Sequence, residues 1–121
     1  MRSWAKRLKC PAKTIMKTLL QIIKGAEKNK VAVGHFNIAE LSTLKAIIEV
    51  IKELGVPVII GTSEGEAGFV GRKQIAAYIK SLREEYKLPI FLNSDHTHHF
   101  EEVKSCKRRG YRAEFWLQKY L

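Results

Sequence analysis

The chain has 121 residues, 45% of them apolar, two cysteines and a formal charge of +10. That is enough for one small domain with its own core, but not for a disulfide-stapled secreted scaffold, and no run approaches the roughly 20 apolar residues of a membrane span. Nor does the charge make a nucleic-acid face, because it sits at the ends: residues 1–17 carry six Lys/Arg and no acid, and residues 104–121 carry six Lys/Arg and one Glu, with Trp4 as the aromatic reader in the first run.

Residues 1–15 are basic, and Lys13, Lys17 and Lys24 break up the apolar segment that a secretory signal would need. From Ile15 to Asn29, Leu19, Ile22, Ile23 and Ala26 recur at helical spacing. Val31-Ala32-Val33 reads as a compact strand. A longer helix is predicted from Ala39 to Leu54, with Leu41, Leu44, Ile47, Ile48, Ile51 and Leu54 on one stripe and Gly55 as its C-terminal cap. Val58-Ile59-Ile60 is the second strand, and Gly61 to Gly71, with four glycines, is predicted as a loop. Arg72 to Tyr86 reads as a helix with Ile75, Ile79, Leu82 and Tyr86 on one face. Pro89 opens a third strand that breaks after Leu92 or Asn93, and Phe100 to Arg109 reads as a further helix. Strands separated by helices imply right-handed crossovers and a parallel sheet. A short open α/β sheet and part of a β/α barrel share this periodicity.

Chemistry concentrates at Ser94-Asp95-His96, behind the apolar run Pro89-Ile90-Phe91-Leu92-Asn93. Asp95 is a potential proton-transfer group and His96 a potential metal ligand. An Asp there equally caps the next helix, beside an incidental His. Adjacent strand residues point to opposite faces, so the two serve one site where strand gives way to loop. His98 and His99 add a local metal cluster as an alternative to two solvent-facing residues at the start of a helix. His35 reads as a loop residue near the rim of the site. Tyr78, Tyr86 and Phe91 read as packing residues.

Four segments occur in one order: Val31-Ala32-Val33-Gly34-His35-Phe36-Asn37, Pro57-Val58-Ile59-Ile60-Gly61-Thr62-Ser63-Glu64-Gly65, Leu92-Asn93-Ser94-Asp95-His96-Thr97 and Phe100-Glu101-Glu102-Val103-Lys104. Together, from about Met16 to Tyr111, they resemble the N-terminal part of the class II, zinc-dependent fructose-bisphosphate aldolases and the related tagatose-bisphosphate aldolases. The resemblance implies a partial (β/α)8 TIM barrel, with an N-terminal helix and about three β/α units on a parallel sheet. It also implies zinc-dependent aldol cleavage of a bisphosphorylated ketose to two triose phosphates. By the same resemblance His96 is one of three histidine zinc ligands and Asp95 is the acid/base at the substrate hydroxyl. Asn37 orients the enediolate, and Ser63 contacts a substrate phosphate. Locally, Asn37 equally caps its turn, and any Ser/Gly loop resembles that around Ser63. Family members are homo-oligomers with a sugar phosphate substrate.

The match is lost just after Tyr111. A complete β/α barrel takes about 250 residues, so the chain is expected to be a truncated product, with residues 16–111 as the barrel portion and 112–121 as an aberrant tail from a shifted reading frame. The remaining zinc ligands and phosphate loop of the family pattern lie beyond it. The fragment is therefore expected to be inactive alone and prone to aggregate at its open strand edges. Residues 1–15 are expected to be a disordered extension, or to precede the native start at Met16. The alternative is a non-catalytic α/β module for binding or assembly. Two cysteines, Cys10 and Cys106, fit a reducing cytoplasm, and neither a nucleic-acid nor a membrane partner is expected.

Overall fold

A computed structural model of the chain describes residues 17–99 together with Glu101 and Lys104. The extension 1–15 and the tail 112–121 lie outside the described residues, as does most of the helix predicted from Phe100. Glu101 and Lys104 are helical and pair at 2.8 Å.

Helix α1 (Leu19–Lys28) opens on a capping box. The Gln21 amide donates to Thr18 Oγ1 at 3.3 Å, and the Thr18 amide donates to Gln21 Oε1 at 2.9 Å, satisfying two N-terminal donors. At the other end Lys30 turns left-handed, with φ 53°. Its amide reaches Glu27 O, and the Val31 amide reaches back to Ala26 O, the paired bonds of a Schellman ending. Val31 is thereby spent on closing the helix. This is why strand β1 runs over Gly34–Asn37 instead of the predicted Val31-Ala32-Val33.

Helix α2 (Leu41–Leu54) ends as predicted, at Gly55 with φ 64°, whose amide donates to Ile51 O at 2.7 Å. Strand β2 (Val58–Thr62) follows. The loop predicted from Gly61 to Gly71 is replaced by the end of β2 and a short helix α3 (Glu64–Val70). Ser63 and Glu66 form its capping box, with the Glu66 amide on Ser63 Oγ at 3.2 Å and the Ser63 amide on Glu66 Oε2 at 2.7 Å. Two glycines inside the segment weaken its helical signal, but the Ser-x-x-Glu spacing outweighs them. Helix α4 (Arg72–Tyr86) and strand β3 (Ile90–Ser94) complete the described elements.

The sheet is parallel, in the order β1-β2-β3. Its rungs align His35 with Ile59 and Phe91, and Asn37 with Gly61 and Asn93. Alternation along the strands sorts two faces. On one, Val58, Ile60, Ile90 and Leu92 meet Leu44, Ile48 and Ile51 of α2 and Ile75, Ile79 and Leu82 of α4. On the other, Ile59 and Phe91 meet Leu19 and Ile22 of α1. Helix α1 thus covers the lower part of the second face, and the strand ends above it stay open. Phe91 is buried there, Tyr78 packs against the helix-side core, and Lys52 Nζ lies 4.0 Å above the Tyr86 ring. Phe91 and Tyr78 are packing residues as expected, whereas Tyr86 is 41% exposed and meets α2 through Lys52. No helix among the described residues is long and apolar enough to cross a membrane.

Candidate active site

Polar residues gather on the open face at the C-terminal ends of the strands. Asn37 ends β1, and its Nδ2 donates to Asp95 Oδ2 at 3.0 Å, a charge-assisted contact between residues 58 apart in sequence. The other Asp95 oxygen accepts the His96 amide at 3.1 Å, and the Asp95 amide donates to Thr62 O at 2.9 Å. Asp95 is thus bound to all three strand ends. Its carboxylate keeps lone pairs on both oxygens for a further hydrogen-bond donor.

His96 lies outside the strand, in left-handed backbone with φ 47°, a conformation that non-glycine residues seldom hold. That turn brings the imidazole to the same side as Asp95, with Nε2 3.7 Å from Oδ2 and the ring mostly exposed. This is an ion-pair distance when the ring is protonated, and too long for a hydrogen bond.

The missing side chain at Gly61 shapes the centre of the site. A Cβ there would lie 2.5 Å from Asn37 Oδ1 and 2.7 Å from His35 Cε1 and Nε2. Both side chains lean into the gap, and the His35 ring reaches Asn93 Nδ2 at 3.3 Å. His35 is therefore a strand residue on the open face, not the loop residue expected. The signal was available: once β1 includes Asn37, two-residue alternation places His35 on the same face.

Ser63 stands apart from this group. Its hydroxyl oxygen accepts the Glu66 amide and its own amide is engaged by Glu66, which leaves the hydroxyl hydrogen to donate. Glu64 and Glu66 both sit in the first turn of α3, so an anion approaching Ser63 would meet two carboxylates. Glu64 Oε2 accepts the His98 amide at 2.9 Å. That bond, helped by the charges of His99, His98 and Arg72, holds the Glu64 carboxyl below its ordinary value against a desolvation effect that raises it. The described residues contain no group of three His, Cys, Asp or Glu able to hold a metal ion. His98 and His99 accordingly make no local cluster with His96 among them.

The model of the class II fructose-bisphosphate aldolase family matches residues 17–115. A probable fructose-bisphosphate aldolase of Bacillus subtilis is 33% identical over 97 residues, covering 78% of this chain and 34% of the relative. A fructose-bisphosphate aldolase of Geobacillus stearothermophilus gives the same figures. The chain thus spans about a third of the length of these relatives. Among solved structures, the YdjI aldolase of Escherichia coli K12 superposes with a TM-score of 0.70 at 21% identity, over 79% of this chain and 38% of that one. The fructose-bisphosphate aldolase of Campylobacter jejuni superposes at 0.62 and 24% identity, over 75% and 30%. At those identities the likeness speaks for the fold, and that fold is part of an α/β barrel, whose chemistry sits at the C-terminal ends of its strands. The polar strand ends and the match across most of the chain agree, and the chain belongs to the class II fructose-bisphosphate aldolase family.

Proposed function

We propose that this chain supplies the first part of the working site of an aldolase that cleaves and re-forms the carbon–carbon bond of a ketose bisphosphate. Fructose bisphosphate is the substrate named in its relatives, and tagatose bisphosphate would present the same bond. The observation that carries the reading is the Asn37–Asp95 hydrogen bond joining the first and third strand ends beside His96. Asp95 takes the proton from the hydroxyl across the breaking bond, and returns it in the reverse direction. Asn37 holds that carboxylate in place and offers its amide to the oxygens of the enediolate. Ser63 donates its hydroxyl hydrogen to a phosphate oxygen.

His96 would contribute one imidazole toward a zinc ion, and such an ion would supply Lewis-acid polarisation of the carbonyl. A catalytic zinc takes about three protein ligands, and the described residues offer no such set, so they do not fit the ion on their own. General acid–base work alone contributes about 10²–10⁴-fold, well short of the roughly 10⁶-fold or more typical of enzymes. The polypeptide of these 121 residues alone is therefore expected to be inactive.

The test is a chimaeric barrel in which residues 17–99 replace the matching stretch of the Bacillus subtilis relative. It should cleave fructose bisphosphate, be inhibited by chelators, and lose activity as Asp95→Ala or His96→Ala. Turnover by the 121-residue chain alone, or a folded, active chimaera indifferent to Asp95, would refute the assignment.

A further inference from the structure

The loop bearing Asp95 and His96 is fastened at its far end by Glu64, a residue inside the second sequence motif to which that motif assigns no role. We propose that Glu64 is a positioning residue, which ties the loop from Asp95 to His98 onto the start of α3 and so keeps Asp95 on Asn37 and His96 in its left-handed turn. The inference rests on the reading of Asp95 and His96 as working residues.

Two bonds of similar length pin the ends of this loop to one corner of the fold. The Asp95 amide donates to Thr62 O, and the His98 amide donates to Glu64 Oε2, each at 2.9 Å. The two acceptors are two residues apart. Between the pins, Ser94 Oγ and Thr97 Oγ1 approach to 2.6 Å. The corner itself is rigid: Thr62 is fully buried, and the reciprocal Ser63–Glu66 cap fixes the turn into α3. Left-handed backbone at a non-glycine residue persists only where its surroundings over-determine it, and His96 sits between these anchors.

A simpler role for Glu64 would be as a first-turn acid that complements the helix dipole. The geometry argues otherwise, because Ser63 and Glu66 already cap α3 and the Glu64 oxygen is aimed at another segment 34 residues away in sequence. The depressed ionisation of Glu64, whose first cause is the His98 amide, agrees with a charged acceptor at that bond.

Nuclear magnetic resonance of the full 121-residue chain tests the proposal without turnover, so its failure is distinct from an inactive chimaera. Glu64→Ala should speed exchange of the His98 amide at least about fivefold, the scale of a hydrogen bond to an exposed charged group. It should also shift the Asn37 side-chain amide and the His96 ring signals, with α2 and α4 unchanged. Glu64→Gln keeps an acceptor oxygen and should restore the Asn37 and His96 signals, with exchange of the His98 amide between that of wild type and Glu64→Ala. Unmoved Asn37 and His96 signals in Glu64→Ala would overturn the proposal by making the bond purely local. Failure of Glu64→Gln to restore the Asn37 and His96 signals would assign the effect to charge and overturn the tether. Disorder spreading into α2 and α4 in either variant would also overturn it, since Glu64 would then be holding the fold and not the loop.

Discussion

Gly61→Ala separates stability from chemistry in one substitution. Gly61 is absent from the positive-φ positions, so alanine fits the backbone, and the stiffer unfolded chain contributes about 0.4–1 kcal/mol toward stability. The new methyl, however, would start 2.5 Å from Asn37 Oδ1 and 2.7 Å from the His35 ring. Both are ends of exposed side chains and can swing away. Swinging breaks the Asn37–Asp95 and Asn93–His35 hydrogen bonds, each about 1 kcal/mol. The net cost should be only about 1 kcal/mol, a small move in the urea midpoint of the 121-residue chain. Activity in the chimaeric barrel should suffer far more, since a displacement of about 1 Å in a positioned group costs on the order of 10²-fold in rate. If the effect runs through Asn37, the Gly61→Ala/Asn37→Ala double variant should match Asn37→Ala within about threefold, because residues acting on one contact are not additive. Wild-type kcat/KM in Gly61→Ala, or losses that multiply in the double variant, would refute the argument.

Three further outcomes are expected. Ile60 is fully buried on the middle strand and Phe69 is 89% exposed, so Ile60→Ala should cost about 2–5 kcal/mol by urea unfolding and Phe69→Ser under about 0.5 kcal/mol; equal effects would refute the packing described. Titration calorimetry should find zinc binding to the chain weak, reduced by His96→Ala and untouched by His99→Ala, whereas tight stoichiometric binding abolished by His98→Ala and by His99→Ala would restore the local cluster. The folded state lowers the Glu64 ionisation below its ordinary 4.5, so its stabilisation is complete above that value and disappears as pH falls through the folded one. The gap in urea midpoint between wild type and Glu64→Gln should accordingly be present at neutral pH and close in acid as Glu64 takes up its proton, and a gap that widens in acid would contradict it.

Sequence reading succeeded where one physical signal ruled a segment. The stripe of Leu44, Ile48 and Ile51 and the left-handed stop at Gly55 are local properties, and α2 follows them. So does α4, with Ile75, Ile79 and Leu82 buried. The errors fall where two local signals competed. Val31-Ala32-Val33 is apolar and β-branched enough for a strand, yet the carbonyls left open at the end of α1 claim the Val31 amide first. Glycines at 65 and 68 concealed α3, although Ser63 and Glu66 were already spaced as a reciprocal cap. Ser63 was placed in that expected loop, whereas it is the N-cap of α3, with its hydroxyl hydrogen left to donate.

The residues proposed for the site are visible in the sequence, but the contacts that join them are not. Asp95, His96 and Asn37 stand out because strand ends change abruptly from apolar to polar, and that change is visible along the chain. What joins them is set across the sheet. The rung aligning Asn37 with Gly61 and Asn93 makes an unremarkable glycine the space into which Asn37 leans, and brings His35 from an expected loop onto the open face. Alternation explains why chemistry collects there. Residues facing α2 and α4 must be apolar to build the core, and lower down on the opposite face Ile59 and Phe91 must be apolar to receive α1. Above α1 that demand ends, and there the strand ends carry Asn37 and Asn93, followed by Asp95, as hydrogen-bonded polar groups on the open face. The packing that stabilises the sheet thus confines its reactive groups to one end of one face.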